Sequence, residues 1–429
     1  MKYKNIKLNK GAVLRYVKNN ISQTTAVEIC FDCGARCDTV PGLAHFTEHM
    51  FFTGTKDLNK EQVTKRYYDF INVNAFTSTK DIYFAGNIFS HKLKDYLLVV
   101  ADMIKNSTFS KKAVENEIPV VQQEIVRGAD KHNFFAFDTN KFNITNLPVY
   151  KDGILGSKES VASITSKDVK SFVKKYFVAN NCSIYISSPY SAGKVKNIIN
   201  KYFISALNEN NLEKLPLYYD DVQNDRFLKI KNVDIKKNYL FLNFIYDKTV
   251  YDFEFNRYAM LFRDVLNDVS AGIMNPLRLE KGLVYSASAY TNRTDKASIM
   301  SINTECNTQN INKVLETVSE YFKNLYKKGI TANQLKLAKQ LYNYEIASKE
   351  PSVRGEMHRL YDYKYYGKII KKNYLLKLTR NATVDQVNQV MRYILENSKI
   401  SCSIYGNATK KDVLTQKEFF NLFDIAKQE

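Results

Sequence analysis

Histidine is scarce in this chain, with 5 residues in 429, so any that stand close together carry information. Glycine (15) and proline (7) are also few, which excludes collagen-like, linker-like and low-complexity chains. No stretch approaches the roughly 18 consecutive apolar residues that a membrane-spanning helix requires. The opening segment MKYKNIKLNKGAVLRYVKNN has no apolar core of signal-peptide length and reads as a strand after Lys10-Gly11. A cytoplasmic protein with no membrane partner is therefore expected. Runs of five or six like charges are missing as well, although 63 basic against 44 acidic residues leave a net charge of +19. Lysines scattered along the whole chain read as solvated surface. With no zinc-knuckle, RRM or KH signature beside them, no nucleic-acid partner is expected.

Six cysteines are present, and three of them, Cys30, Cys33 and Cys37, follow a C-x2-C-x3-C spacing. That spacing can hold a metal, but no fourth ligand follows at a suitable distance, and AVEICFDCG alternates as a strand does. Structural, reduced thiols are the reading that fits a cytoplasmic setting.

What the chain does have is length and internal repetition. At 429 residues with 45% hydrophobic content, it exceeds one ordinary core and calls for two or more domains. The tetrapeptide CSIY occurs at Cys182–Tyr185 and again at Cys402–Tyr405. The flanks repeat too: ITSKDVKSFVKKYF from Ile164 parallels ATVDQVNQVMRYIL from Ala382, with Thr165 and Thr383 as helix N-caps. Upstream of each copy the pattern reads strand, loop, strand, helix. These parallels predict an α+β protein of two similar tandem domains, each a mixed or antiparallel β-sheet packed with α-helices. The expected boundaries are 1–210 and 227–429, joined by a polar linker at 211–226.

Two of the five histidines stand four apart in GLAHFTEHMFF, residues 42–52. Pro41-Gly42 is a plausible helix start, with Leu43, Phe46 and Met50 on one face and His45, Glu48 and His49 on another. Imidazoles at i and i+4 project side by side from successive turns, as a tetrahedral zinc site requires. A glutamate beside them is placed to take a proton from a water whose pKa the metal lowers to about 7. The order H-x-x-E-H is the inverted form of the H-E-x-x-H zinc peptidase motif. At this composition, chance supplies it roughly 0.006 times per chain, so it is signal. A third protein ligand must come from elsewhere: His91, His132, His358 or a carboxylate. In VENEIPVVQQEI, residues 114–125, Glu117 and Glu124 lie seven apart, two helical turns, and can face the same way. One of the two can bind the metal while the other orients a ligand histidine.

Taken together, LNKGAVLRYVKN, GARCDTVPGLAHFTEHMFFTGT, NAFTST, NLPVYKDGILGSKESVASIT and PLRLEKGLVYSASA give the chain its likeness to a known family. Over nearly its whole length the chain resembles the pitrilysin family of zinc metallopeptidases, which includes insulin-degrading enzyme and the mitochondrial processing peptidases. The resemblance implies one zinc per chain held by His45, His49 and Glu124, with Glu48 as general base and Glu117 as the supporting carboxylate. It implies that Asn74 and Ala75 lie on an edge strand that pairs with substrate backbone. Arg278 and Tyr285, seven apart in RLEKGLVY, would hold the substrate and stabilise the developing oxyanion.

The expected activity is that of a zinc-dependent endopeptidase acting on short or unfolded peptides in an enclosed chamber. Such short members commonly pair two chains, and because this one carries both halves of the site a homodimer is expected. A heterodimer, or a non-catalytic partner subunit, is the alternative. Two features depart from the family pattern: Ile118 and Pro119 follow Glu117 where the family often has Arg, and the chain is half the length of single-chain members. Proline inside a helix removes one hydrogen bond and can bend it, which bears on the angle between Glu117 and Glu124.

Overall fold

The computed structural model describes residues 2–129, 132–210, 212–213, 222, 225–348 and 352–425. Most of the 211–226 segment expected as a linker lies outside the described residues. The chain forms two compact units. The first gathers Met1–Lys131, Pro148–Leu217 and Glu350–Ile369, and the second His132–Leu147, Tyr218–Lys349 and Ile370–Glu429. A single cut in the sequence therefore does not separate them, because each unit includes one segment from the other half of the chain. Among the described residues, no helix is long and apolar enough to cross a membrane.

The first unit is built on a six-stranded sheet in the order β1-β2-β6-β3-β5-β4. Its strands are β1 (Tyr3–Lys7), β2 (Val13–Lys18), β3 (Thr24–Phe31), β4 (Val73–Thr77), β5 (Ile82–Phe89) and β6 (Cys182–Ser188). Only β2 and β6 run parallel. In β3 alternate side chains point to opposite faces. Val27, Ile29 and Phe31 enter the main core beneath α1 (Leu43–Met50) and α3 (Leu93–Asn106). The other face of β3 is buried too. Ala26 and Cys30 pack there, together with Val17 and Tyr185, against Val353, Met357 and Leu360. Two short helices, Val353–His358 and Tyr361–Tyr366, thus lie across this second face of the sheet.

The second unit carries a five-stranded sheet in the order β7-β11-β8-β10-β9. Its strands are β7 (Phe227–Asn232), β8 (Asn238–Tyr246), β9 (Ala287–Arg293), β10 (Ser298–Cys306) and β11 (Lys399–Gly406). Here β7 and β11 are the parallel pair, and the sheet repeats the first one without its β1. The two CSIY copies fall in β6 and β11, the corresponding strands. Thr165 and Thr383 both cap the preceding helices, each in a reciprocal capping box. The far face of this sheet is covered by α5 (His132–Thr145), whose Ile144 packs with Phe227, Ile245 and Ile299. Asn140 and Asn243 exchange side-chain hydrogen bonds of 3.3 and 2.9 Å in the same layer. The fold is therefore α+β and duplicated. All six cysteines are free and buried in these cores, Cys33 and Cys37 in the main core of the first unit.

Candidate metal centre

Helix α1 begins where the sequence breaks the chain. Gly42 has φ = 90°, and a Cβ there would stand 2.5 Å from the Leu155 carbonyl oxygen. Glycine is required for both reasons. Because Gly42 offers no side-chain cap, the orphan N–H groups are met by Asp38, whose two oxygens accept from Gly42 N at 2.9 Å and Ala44 N at 2.7 Å. Asp38→Ala is expected to cost about 1 kcal/mol, the usual value of a lost helix cap, read as a lowered unfolding midpoint. Leu43, Phe46 and Met50 anchor the helix in the core at 1% exposure or less. His45, Glu48 and His49 are thereby turned to the opposite side.

That side meets α4 (Lys111–Ala129), which runs unbroken through Pro119. His45 Nε2 lies 3.7 Å and His49 Nε2 3.4 Å from the same oxygen, Oε2 of Glu124. Donor atoms of the three residues all fall within 4.8 Å of one another. Ligands at zinc distances of 2.0–2.1 Å in a tetrahedron stand about 3.3 Å apart, so two nitrogens and one carboxylate oxygen are arranged as an ion of that kind needs. Glu117, two turns before Glu124, reaches past the cluster to His49, with Oε1 3.1 Å from Nδ1. The carboxylate thus holds the far side of the ring and turns Nε2 toward Glu124. Among the described residues His45 Nδ1 has no such partner; its ring meets Glu124 through Nε2 and the His49 ring edge-on at 4.7 Å.

Electrostatics favour a cation here. Burial depresses His49, but hydrogen bonds and charge from Glu117 and Glu124 outweigh it and raise its affinity for a proton. The same field attracts any cation placed between these atoms. His45 is pushed down, by burial first and then by the charge of His49. Burial lifts the Glu48 carboxyl above its ordinary value, partly opposed by a hydrogen bond from Thr77 Oγ1 to Oε2 at 2.5 Å. Glu48 contributes no atom to the converging set and stands beside it, half-buried.

Other expected site residues are placed as follows. His91 stacks on Phe89, His358 bonds Glu28 at 3.3 Å, and His132 begins α5 of the second unit. None of these three joins the cluster, whereas Glu124 does. Asn74 and Ala75 lie in β4, an edge strand. The Asn74 carbonyl already accepts from Tyr67 Oη at 2.9 Å, and the Ala75 N–H donates to the Asn74 side chain at 3.0 Å. The two groups belong to one peptide unit and point opposite ways, the carbonyl toward β5, so a peptide added along the open edge would displace the Ala75 contact alone. Arg278 and Tyr285 belong to the second unit, where the guanidinium lies 4.8 Å from the Tyr285 ring centroid and the ring is 71% exposed. Sequence reasoning missed Asp38, Thr77 and Lys60, the last 2.6 Å from Glu117. Thr77 sits within the quoted NAFTST, yet nothing local marks it as a partner of Glu48.

Residues 14–148 match the family described as Insulinase (Peptidase family M16), and residues 163–342 match the Peptidase M16 inactive domain. The chain belongs to the M16 peptidase family. Its M16 relatives include an uncharacterized zinc protease of Bacillus subtilis, 24% identical over 355 residues, 80% of this chain and 83% of that one. A probable mitochondrial-processing peptidase subunit beta of Schizosaccharomyces pombe is 27% identical over 202 residues, covering 46% of this chain and 44% of that protein. In fold the chain resembles the first half of the periplasmic protease PqqL from Escherichia coli, with a TM-score of 0.79 and 16% identity over 100% of this chain and 97% of that one. The H-x-x-E-H helix falls in the M16 match that names the peptidase, and Arg278 and Tyr285 fall in the match that names the inactive domain.

Proposed function

We propose that this chain is a zinc-dependent endopeptidase that cleaves short or unfolded peptides. The observation that carries the reading is the convergence of His45 Nε2, His49 Nε2 and Glu124 Oε2, with Glu48 beside them. These three residues hold one zinc per chain, whose chemistry is to polarise the scissile carbonyl and acidify water. Glu48 takes the proton from the attacking water and passes it to the leaving amine. Glu117 keeps His49 in the tautomer that offers Nε2. Arg278 and Tyr285 hold the substrate and the developing oxyanion, a role supported by the exposure of both side chains. The β4 edge at Asn74 and Ala75 receives the peptide backbone.

The active form is a homodimer enclosing a chamber, supported by the presence of both the metal cluster and the Arg-Tyr pair in one chain. The heterodimer is the rival arrangement, because one relative is named a beta subunit. Buried free thiols support a reducing compartment, the cytoplasm.

The test is cleavage of a mixed library of unstructured peptides by the purified protein, with zinc content and native mass measured on the same sample. Expected are one zinc per chain, a native mass twice that of the chain, and cleavage that stops with chelator and returns with zinc. Full zinc content without cleavage of any peptide would leave a non-catalytic subunit as the reading.

A further inference from the structure

Lys60 is a charged residue at the cluster that no motif calls for. It is the first residue of α2 (Lys60–Tyr68), directly after the Asn59 cap. A cation there faces the positive end of the helix dipole, where acidic residues are favoured. Local preference is overridden for a contact made elsewhere, and such conflicts concentrate at functional sites. The contact is with Glu117: Lys60 Nζ stands 2.6 Å from Oε2, while Oε1 of the same carboxylate is 3.1 Å from His49 Nδ1. Glu117 is 5% exposed. The Lys60 side chain is 58% exposed, and the pair differs from a fully solvated one such as Lys111–Glu115, at 3.8 Å with side chains 89% and 60% exposed, through its shorter distance and its buried carboxylate.

We propose that Lys60 is a positioning residue of the metal site, pinning one oxygen of Glu117 so that the other fixes the orientation of His49. This rests on the proposed zinc site. Its physical basis is twofold. A carboxylate held at one oxygen pivots, whereas one held at both has a single orientation to impose on the imidazole. Glu48, Glu117 and Glu124 also gather three carboxylates at the cluster, and Lys60 is the cation in direct contact with Glu117, as Arg127 acts by charge on Glu124.

The experiment measures zinc affinity of the full chain by competition with a chromophoric chelator at one fixed pH. Wild type is compared with Lys60→Met, Lys60→Gln and Lys60→Arg. Lys60→Met and Lys60→Gln are expected to weaken zinc binding about 10- to 100-fold, as loss of a residue that orients a ligand does, and Lys60→Arg to recover most of it. In the cobalt-loaded protein, the Met and Gln variants should shift the visible absorption bands while Arg leaves them in place. Lys60→Met and Lys60→Gln leave the buried Glu117 without this cation and should lower the unfolding midpoint taken with chelator present by similar amounts, so the shift of the cobalt bands, read on folded protein, is what separates positioning from folding. Wild-type affinity in both Lys60→Met and Lys60→Gln would overturn the inference while leaving the zinc site standing. A wild type that binds no zinc at one equivalent would overturn the site and the inference together.

Discussion

Glu48→Gln is expected to lower kcat for peptide cleavage by roughly 10²- to 10⁴-fold, the usual contribution of a positioned proton-transfer group, with zinc still bound at one per chain. Glutamine has the shape of glutamate and keeps an oxygen that can accept from Thr77, whose hydroxyl lies 2.5 Å from the native carboxylate. Side-chain placement is therefore preserved and the ability to carry a proton is lost. Zinc stays because the converging atoms belong to His45, His49 and Glu124. Glu124→Gln makes the informative contrast, since it removes a charged ligand and should release the metal. Zinc content, kcat and KM measured together separate the two roles, because an interaction made only in the transition state lowers kcat without raising KM. If Glu48→Gln cut activity and zinc content in parallel, Glu48 would be a ligand rather than a base.

The parts of this site that were readable beforehand are those set by helical periodicity. His45 and His49 are one turn apart, and Glu117 and Glu124 are two, so each pair had to share a face once its helix formed. Lys60 and Thr77 reach the same cluster from other elements, 57 and 29 residues from the side chains they contact. No local pattern encodes such a meeting. The duplication was equally legible, because CSIY marks one strand in each sheet and a threonine caps the helix before it. What the alternation in AVEICF did not reveal is that both faces of β3 are covered. A half-buried strand and a doubly covered one differ only in what packs from outside, and here that is a segment more than 300 residues downstream. The run MHRLYDYKYYG is rich in charge and tyrosine, and its apolar stripe, Met357 and Leu360 with Val353 before them, is too short to announce a packing role. It docks through polar groups as well as through Met357 and Leu360.

Lys364→Met is the substitution expected to destabilise the first unit most, by about 3–5 kcal/mol, the cost of breaking a buried ion pair from one side. Lys364, 7% exposed in its side chain, lies 2.7 Å from Asp32 Oδ1 and 3.1 Å from Asp81 Oδ2. Burial alone would depress its amine, but the charges of Asp32 and Asp81 prevail and hold it protonated. The ammonium is thus the shared counter-ion of two carboxylates, and methionine fills its volume while leaving both without it. Beside it, Tyr361 stacks on Tyr185 at 4.2 Å and donates to the buried Glu28 at 2.6 Å, so the segment is held by polar contacts as much as by Val353, Met357 and Leu360. The first unfolding transition in urea should move to lower denaturant in Lys364→Met. Adding Asp32→Asn and Asp81→Asn should return part of the loss, because the two uncompensated charges are then gone. An unchanged transition in the single variant would mean that this segment contributes nothing through Lys364.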